Sequence, residues 1–295
     1  MGRTILALAT LALLGAGCGA AGENGPPTTP RVGPKVARVG SLPRAISKAA
    51  AVALPGGKLM ILGGLVGNDS IDTILAGAPT KLRVVGHLPQ PTHDAAAARL
   101  GRTVYLFGGG AATSTATVVR ISLSGGAANA GTLIEPLSDL GAVAVGGKAY
   151  LVGGYTGTEY ATAILRYAPA NDTVVARLPQ GTRYAGVAAI GRTIYVVGGL
   201  TTSGESRAIY AVQLRKKPKR IGTLPRPEAH GALAAFNGTL YYVGRRTILA
   251  IDPRSGKVTI AARLKVSLSD PTATTVGNAI VIAGGGTNGI WSFTP

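Results

Sequence analysis

Cysteine is almost missing from this sequence of 295 residues, where Cys18 stands alone. A domain folded downstream of it has neither a disulfide nor a cysteine-ligated metal centre to draw on. Tryptophan is also single (Trp291), histidine occurs three times (His87, His93, His230) and aromatic residues make up 5%. Acidic residues are scarce as well, 12 against 30 Lys and Arg, for a formal charge of +18. Such a balance favours anionic surroundings: lipid head groups, cell-wall polymers or nucleic acid. After Leu14 no apolar run reaches the roughly 18 to 20 residues that a spanning helix requires. The 46% hydrophobic content must therefore be buried within a folded body.

What is present begins with a leader. Met1, Gly2 and Arg3 form a short basic start, Ile5 to Leu14 an apolar core, and small residues follow up to Cys18. This arrangement resembles a bacterial lipoprotein signal, with Leu14-Gly15-Ala16-Gly17-Cys18 in the place of the lipobox. The resemblance implies a signal peptide over residues 1–17, a lipid on Cys18 and export to the outer face of the cell membrane or the periplasm. Removing Arg3 with the signal leaves 29 basic against 12 acidic residues, a net of +17. Residues 18–34 are small, polar and Pro-rich without apolar periodicity, and read as a flexible tether.

The rest of the chain is repetitive. Six apolar segments end in a glycine at 63, 108, 153, 198, 244 and 284, spaced by 45, 45, 45, 46 and 40 residues. The second member of the pair is again Gly in five of them, and Arg245 in the fifth. Before each segment stands a Gly-containing turn, such as Gly56-Gly57-Lys58 or Asn237-Gly238, and before that a run of small apolar residues. Strand, hairpin turn and second strand follow from that pattern. Two further strands complete each unit, in the fourth around Ala208 to Leu214 and Lys219 to Leu224.

Four antiparallel strands in about 45 residues, six times over, predict an all-β fold: a six-bladed β-propeller spanning residues 35–295. The last unit has only three strands before Pro295, whereas residues 35–43 (KVARVGSLP) match the outermost strands KLRVVGHLP (81–89) and KPKRIGTLP (217–225). The N-terminal segment is therefore expected to close the last blade. The apolar strand ending in Gly-Gly, with Leu-Pro recurring at 42–43, 88–89, 178–179 and 224–225, resembles the kelch repeat. The outer-strand Tyr and Trp common in that family are missing, so the likeness is to a divergent member.

Counting back from the glycine pairs places a polar residue at the start of each innermost strand: Lys48, Asp94, Asp139, Tyr184, His230 and Asp270. His93 and Arg183 stand one residue earlier, and Arg245 and Arg246 replace the usual loop after the fifth segment. These ten residues are expected at one mouth of the axial channel, where carboxylates facing cations suit a sugar, a peptide or another polar ligand. The run Arg215-Lys216-Lys217-Pro218-Lys219-Arg220 falls on a hairpin at the opposite face.

Sharper chemistries lack their residues. Copper oxidases among the kelch-like proteins use a Tyr joined to a Cys, and Cys18 is spoken for at the lipid site. The three histidines show no close metal-binding pair. A Gly-x-Ser-x-Gly nucleophile elbow is absent. The Gly-Gly-Gly runs at 108–110 and 284–286 lack the Gly-Lys-Ser/Thr of a phosphate loop. No cofactor is expected. Export and the lack of stacking aromatics in the basic run argue against nucleic acid. Two functions remain open: a monomeric, membrane-tethered scaffold binding a protein, peptide or carbohydrate; or, by resemblance to kelch-like epimerases and oxidases, an enzyme acting on a sugar, with Asp94, Asp139, Asp270 and His230 as acid or base groups. The missing catalytic constellation favours the first.

Overall fold

The computed structural model describes residues 33–169 and 171–295, so the expected signal, Cys18 and nearly all of the tether lie outside the described residues. Within them each repeat folds as its punctuation dictates. In the first, Ala50–Leu54 turns at Gly56-Gly57 and returns as Lys58–Leu62, and Thr73–Ala78 and Lys81–His87 complete the sheet. Both turn glycines adopt positive φ, 69° and 68°, which only glycine tolerates without steric cost.

Six four-stranded antiparallel sheets follow one another around an axis. In the sixth, Pro271–Val276, Ala279–Gly284 and Thr287–Thr294 are joined by Lys35–Ile46, with Lys35 opposite Thr294 and Arg38 opposite Trp291. The first strand thus closes the last blade as the repeat implied, running three residues past the expected end at 43. Closure leaves the circle of blades without a free lateral end.

Burial follows from this geometry. The second strand of a blade has neighbouring blades on both faces, and Lys58–Leu62 is buried from Leu59 onward. The outer strand Lys81–His87 is largely exposed. Apolar side chains gather in six clusters, each shared by two consecutive blades. Phe107 and Val118 of the second blade pack with Leu151 and Leu165 of the third, and Phe107 meets Tyr167 edge-on at 5.0 Å. Stability is therefore distributed over six interfaces, each burying aliphatic and aromatic surface.

The glycine pairs sit where the chain crosses itself. Gly108 and Gly109 have φ of 60° and 81°, and the Gly109 N–H donates to the Leu137 carbonyl at 2.8 Å. A Cβ on Gly108 would run into that same carbonyl, on the loop leading to the next inner strand. In the fifth blade, where Arg245 takes the second position, the connection from Val243 to Thr247 is short and the Gly244 N–H donates to the Thr247 carbonyl at 2.9 Å.

Candidate functional site

The six register-matched residues share one backbone device. Lys48, Asp94, Asp139, Tyr184, His230 and Asp270 all adopt left-handed conformation, with φ between 53° and 60°. Each donates its N–H to the carbonyl of its counterpart in the preceding blade: Asp94 to Lys48 (2.9 Å), Asp139 to Asp94 (2.8 Å), Tyr184 to Asp139 (2.9 Å), His230 to Tyr184 (3.2 Å) and Asp270 to His230 (3.0 Å). Lys48 completes the circle by donating to Asp270 (3.1 Å). Left-handed backbone costs an ordinary residue about 1–2 kcal/mol, and Asp and His are among the residues found there most often. The closed circle of hydrogen bonds offsets that cost while holding one side chain per blade at the axis. This hexad lies at the end of the inner strands remote from the first hairpin turns, as the alternation of strands requires.

The side chains form two groups. In the first, Lys48 Nζ donates to Asp94 Oδ2 at 2.8 Å and to the Tyr184 hydroxyl at 3.3 Å, and that hydroxyl lies 3.5 Å from Asp94 Oδ2. Arg183 Nη2 stands 2.6 Å from Asp139 Oδ2, at angles outside hydrogen-bond geometry, and donates to the Tyr184 hydroxyl at 2.9 Å. Its guanidinium is packed among Tyr155, Tyr160 and Tyr184, with centroids 4.7, 5.4 and 4.6 Å away. Such contacts favour a cation. His93 Nε2 lies 3.6 Å from Asp94 Oδ2, with Ser70 Oγ 2.9 Å from its Nδ1. In the second group His230 Nδ1 pairs with Asp270 Oδ1 at 2.7 Å, and Ser269 donates to Asp270 Oδ2 at 3.0 Å. The Tyr184 and His230 rings join the two groups, 4.0 Å apart and 33° from parallel.

Burial sets the protonation of the hexad. The Asp139 side chain is 2% exposed. Desolvation raises its carboxyl to about 6, aided by the charge of Asp94 and opposed by Arg183. Asp94 is also raised by burial, although the Lys48 ammonium bonded to it pulls the other way. The Tyr184 hydroxyl is pushed up to about 12 by burial and by both carboxylates. Burial works against a charged Lys48, but the bond to Asp94 outweighs it and keeps the ammonium protonated. His93 is shifted down by burial and by Lys48. Between about pH 5 and 7, then, Asp139 exchanges a proton while Lys48 and Arg183 stay cationic.

Two polar atoms here are left over: Asp139 Oδ2 and Arg183 Nε are buried without a hydrogen-bond partner in the protein. Buried polar groups are nearly always satisfied. A ligand or water at the mouth would complete them. All six hexad residues line one small hollow of about 120 Å³. Behind it runs the axial channel, about 320 Å³, walled by Ala, Val, Leu and Thr of the inner strands with Arg99 as its charged residue.

Eight of the ten candidate residues thus come together: the hexad with His93 and Arg183. Arg245 and Arg246 do not join them. They line a separate hollow of about 250 Å³ with Glu205, Arg226 and the buried Glu228, and Arg245 pairs with Glu205 at 3.3 Å. Alignment of the repeats does not single out Ser70, whose loop differs in length from blade to blade, or Glu228, which stands in a connection of constant length where the other blades place Thr92, Leu137 and Thr182. Ser70 rides on a small added hairpin, Leu65–Val66 with Asp69–Ser70. Among the described residues no group of three His, Cys, Asp or Glu side chains is placed to hold a metal ion.

Fold and hexad together define a six-bladed β-propeller with a polar channel mouth. The solved structure titled "Structure of YjhT" has a similar chain: TM-score 0.73 over 85% of this chain and 94% of that one, at 15% identity. At that identity the likeness concerns the fold. No protein-family model matches the chain, and no curated protein does.

Proposed function

We propose that this propeller is an extracytoplasmic binding protein that takes a polar, hydroxyl-bearing ligand, a carbohydrate or short peptide, at the mouth of its axial channel. One observation carries the reading. Six blades each deliver a polar side chain to one hollow, and at its edge the Asp139–Arg183 ion pair leaves Asp139 Oδ2 and Arg183 Nε buried without a hydrogen bond in the protein. Carboxylates, an ammonium, a guanidinium and the faces of Tyr184 and His230 offer the mix of acceptors, donors and aromatic surface that a sugar requires of its binder. The leader pattern supports export and a lipid on Cys18, so that the propeller works as a monomer tethered to the outer face of the membrane. The Gly-Gly periodicity supports a divergent kelch-like repeat.

A second reading, acid–base catalysis on a sugar, draws on the Asp139 carboxyl near 6 beside Asp94. Against it, His230 is engaged by Asp270 on the far side of Tyr184 and does not complete the acid pair. Glycan and peptide arrays probed with the full chain and with Asp139→Asn and His230→Ala test the proposal. The expected result is one ligand class held by the wild type and weakened at least about tenfold, about 1.4 kcal/mol, in both variants. Binding that survives both substitutions would remove the hexad as the site. Conversion of an array hit by the wild type, lost in Asp139→Asn, would favour the enzyme.

A further inference from the structure

The face opposite the hexad has a different electrostatic character. Strand register places the first hairpin turns and the hairpins between third and fourth strands at that end. Four of the six first turns carry a cation there: Lys58, Arg102, Lys148 and Arg192. The fourth blade's outer hairpin adds Arg215, Lys216 and Lys217. Asp172 and Asp252 are the acidic side chains of these hairpins, and both are occupied by backbone amides, Asp172 by Ala168 and Ile134, Asp252 by Arg254 and Ser255.

Between the third and fourth blades this surface opens into a cleft of about 430 Å³. Lys148, Arg166, Arg192 and Arg215 line it, with Val145, Tyr150 and Val175 among its apolar walls and no acidic residue. None of these four cations forms an ion pair among the described residues. Arg166 donates to the Thr173 hydroxyl at 3.2 Å. Arg215 is held in left-handed conformation, φ 65°, at the turn. Four like charges around one cavity repel one another, and an anion inserted between them would relieve that repulsion and take charge-assisted hydrogen bonds from arginine.

The chain also enters the propeller on this face. Lys35, the first residue of the closing strand, lies opposite Thr294, at the same end as the turn between Val276 and Ala279. The propeller's first strand thus begins on the basic face, at the end remote from the hexad.

We propose that this hairpin face docks on an anionic phospholipid surface, with the cleft of Lys148, Arg166, Arg192 and Arg215 taking a headgroup phosphate. The inference rests in part on the export reading above, since it is the chain's own N-terminal route that selects a membrane over other polyanions. Basic residues near an anionic bilayer each tighten binding about fivefold, and the effect is lost within a Debye length as salt rises. Docking would present the hexad outward.

The test is cosedimentation of the full chain with vesicles of phosphatidylcholine alone and with about one part in three phosphatidylglycerol, the anionic lipid supplying the surface charge. Binding by the leader itself appears with both vesicles, so the difference between them reads the face. Stronger binding to the phosphatidylglycerol vesicles is expected, abolished at about 0.5 M salt, and weakened about thirtyfold by the double variant Arg192→Ala/Arg215→Ala. These two side chains stand on surface turns, and circular dichroism checks that the variant is folded. Asp139→Asn is expected to leave vesicle binding unchanged, which separates failure of the hexad reading from failure of this one. Equal binding to both vesicles, or undiminished binding by the double variant, overturns the proposal. So does preference for a soluble poly(glycerol phosphate) that displaces the protein from vesicles, which would assign the face to an anionic polymer.

Discussion

Replacing Asp139 by Asn is expected to change how stability depends on pH, with a sign that most carboxylates do not show. In the folded protein the carboxyl is raised from its ordinary 3.8 to about 6. Folded chains therefore bind more protons at this site than unfolded ones between about pH 4 and 6. Stability from this group is fully present below about pH 4 and is lost as pH rises through about 6. A rise from 3.8 to about 6 corresponds to about 3 kcal/mol. Asn has the shape of the protonated acid, suits the left-handed backbone at φ 57° and cannot ionise. On acidification from about pH 7.5 to about 4.5, which covers most of that range, the wild type should gain about 2 kcal/mol relative to Asp139→Asn, or on the order of 4–7 °C in relative melting temperature. His93, whose pKa is lowered by burial and by Lys48, acts in the opposite sense and is present in both proteins. Thermal unfolding by circular dichroism at the two pH values reads the effect. Parallel pH profiles for the two proteins would refute the reasoning, as would a variant that loses more stability at the higher pH than at the lower.

Gly108→Ala must fit a Cβ against the Leu137 carbonyl in left-handed backbone, and is expected to lose more than about 2 kcal/mol, visible as a lower denaturant midpoint. The same change at Gly101, equally left-handed but open around its Cβ position, should cost only about 1 kcal/mol. Deleting residues 35–46 uncovers Thr287–Thr294 and removes buried Leu42 and Ile46 from the interface with the first blade, so the whole domain should melt at lower temperature. Unchanged melting after that deletion would contradict closure by the first strand.

Much of the fold is legible in the sequence because a propeller writes itself there as a period. Spacings of 45 residues, the turns before Lys58 and Lys148 and the Leu-Pro marks each report a local requirement repeated from blade to blade. The closing strand can be found because Lys35 to Pro43 resembles outer strands elsewhere in the chain. The hexad can be located for the same reason, since counting from a glycine pair lands at the same place in each blade. Its left-handed backbone and circular hydrogen bonds are not legible. They arise from six strands meeting at an axis, and Lys48, Tyr184 and His230 carry no common mark of such a conformation. Arg245 and Arg246 show the converse. Sequence proximity to a glycine pair points to the mouth, but the shortened connection in the fifth blade directs them toward Glu205 and Arg226. The cleft on the hairpin face is only half visible: the Arg215 run announces charge, but Lys148 and Arg166 come from the third blade and meet it only across the interface.

The most direct test of the hexad as the site of function is a crystal structure of the protein soaked with the strongest array ligand. Density in the hollow between Asp94, Asp139 and His230, with a ligand atom within hydrogen-bond distance of Asp139 Oδ2 or Arg183 Nε, is the expected result. A ligand bound on the outer loops or in the cleft at Arg192 and Arg215, with the hexad left as it stands, would contradict it.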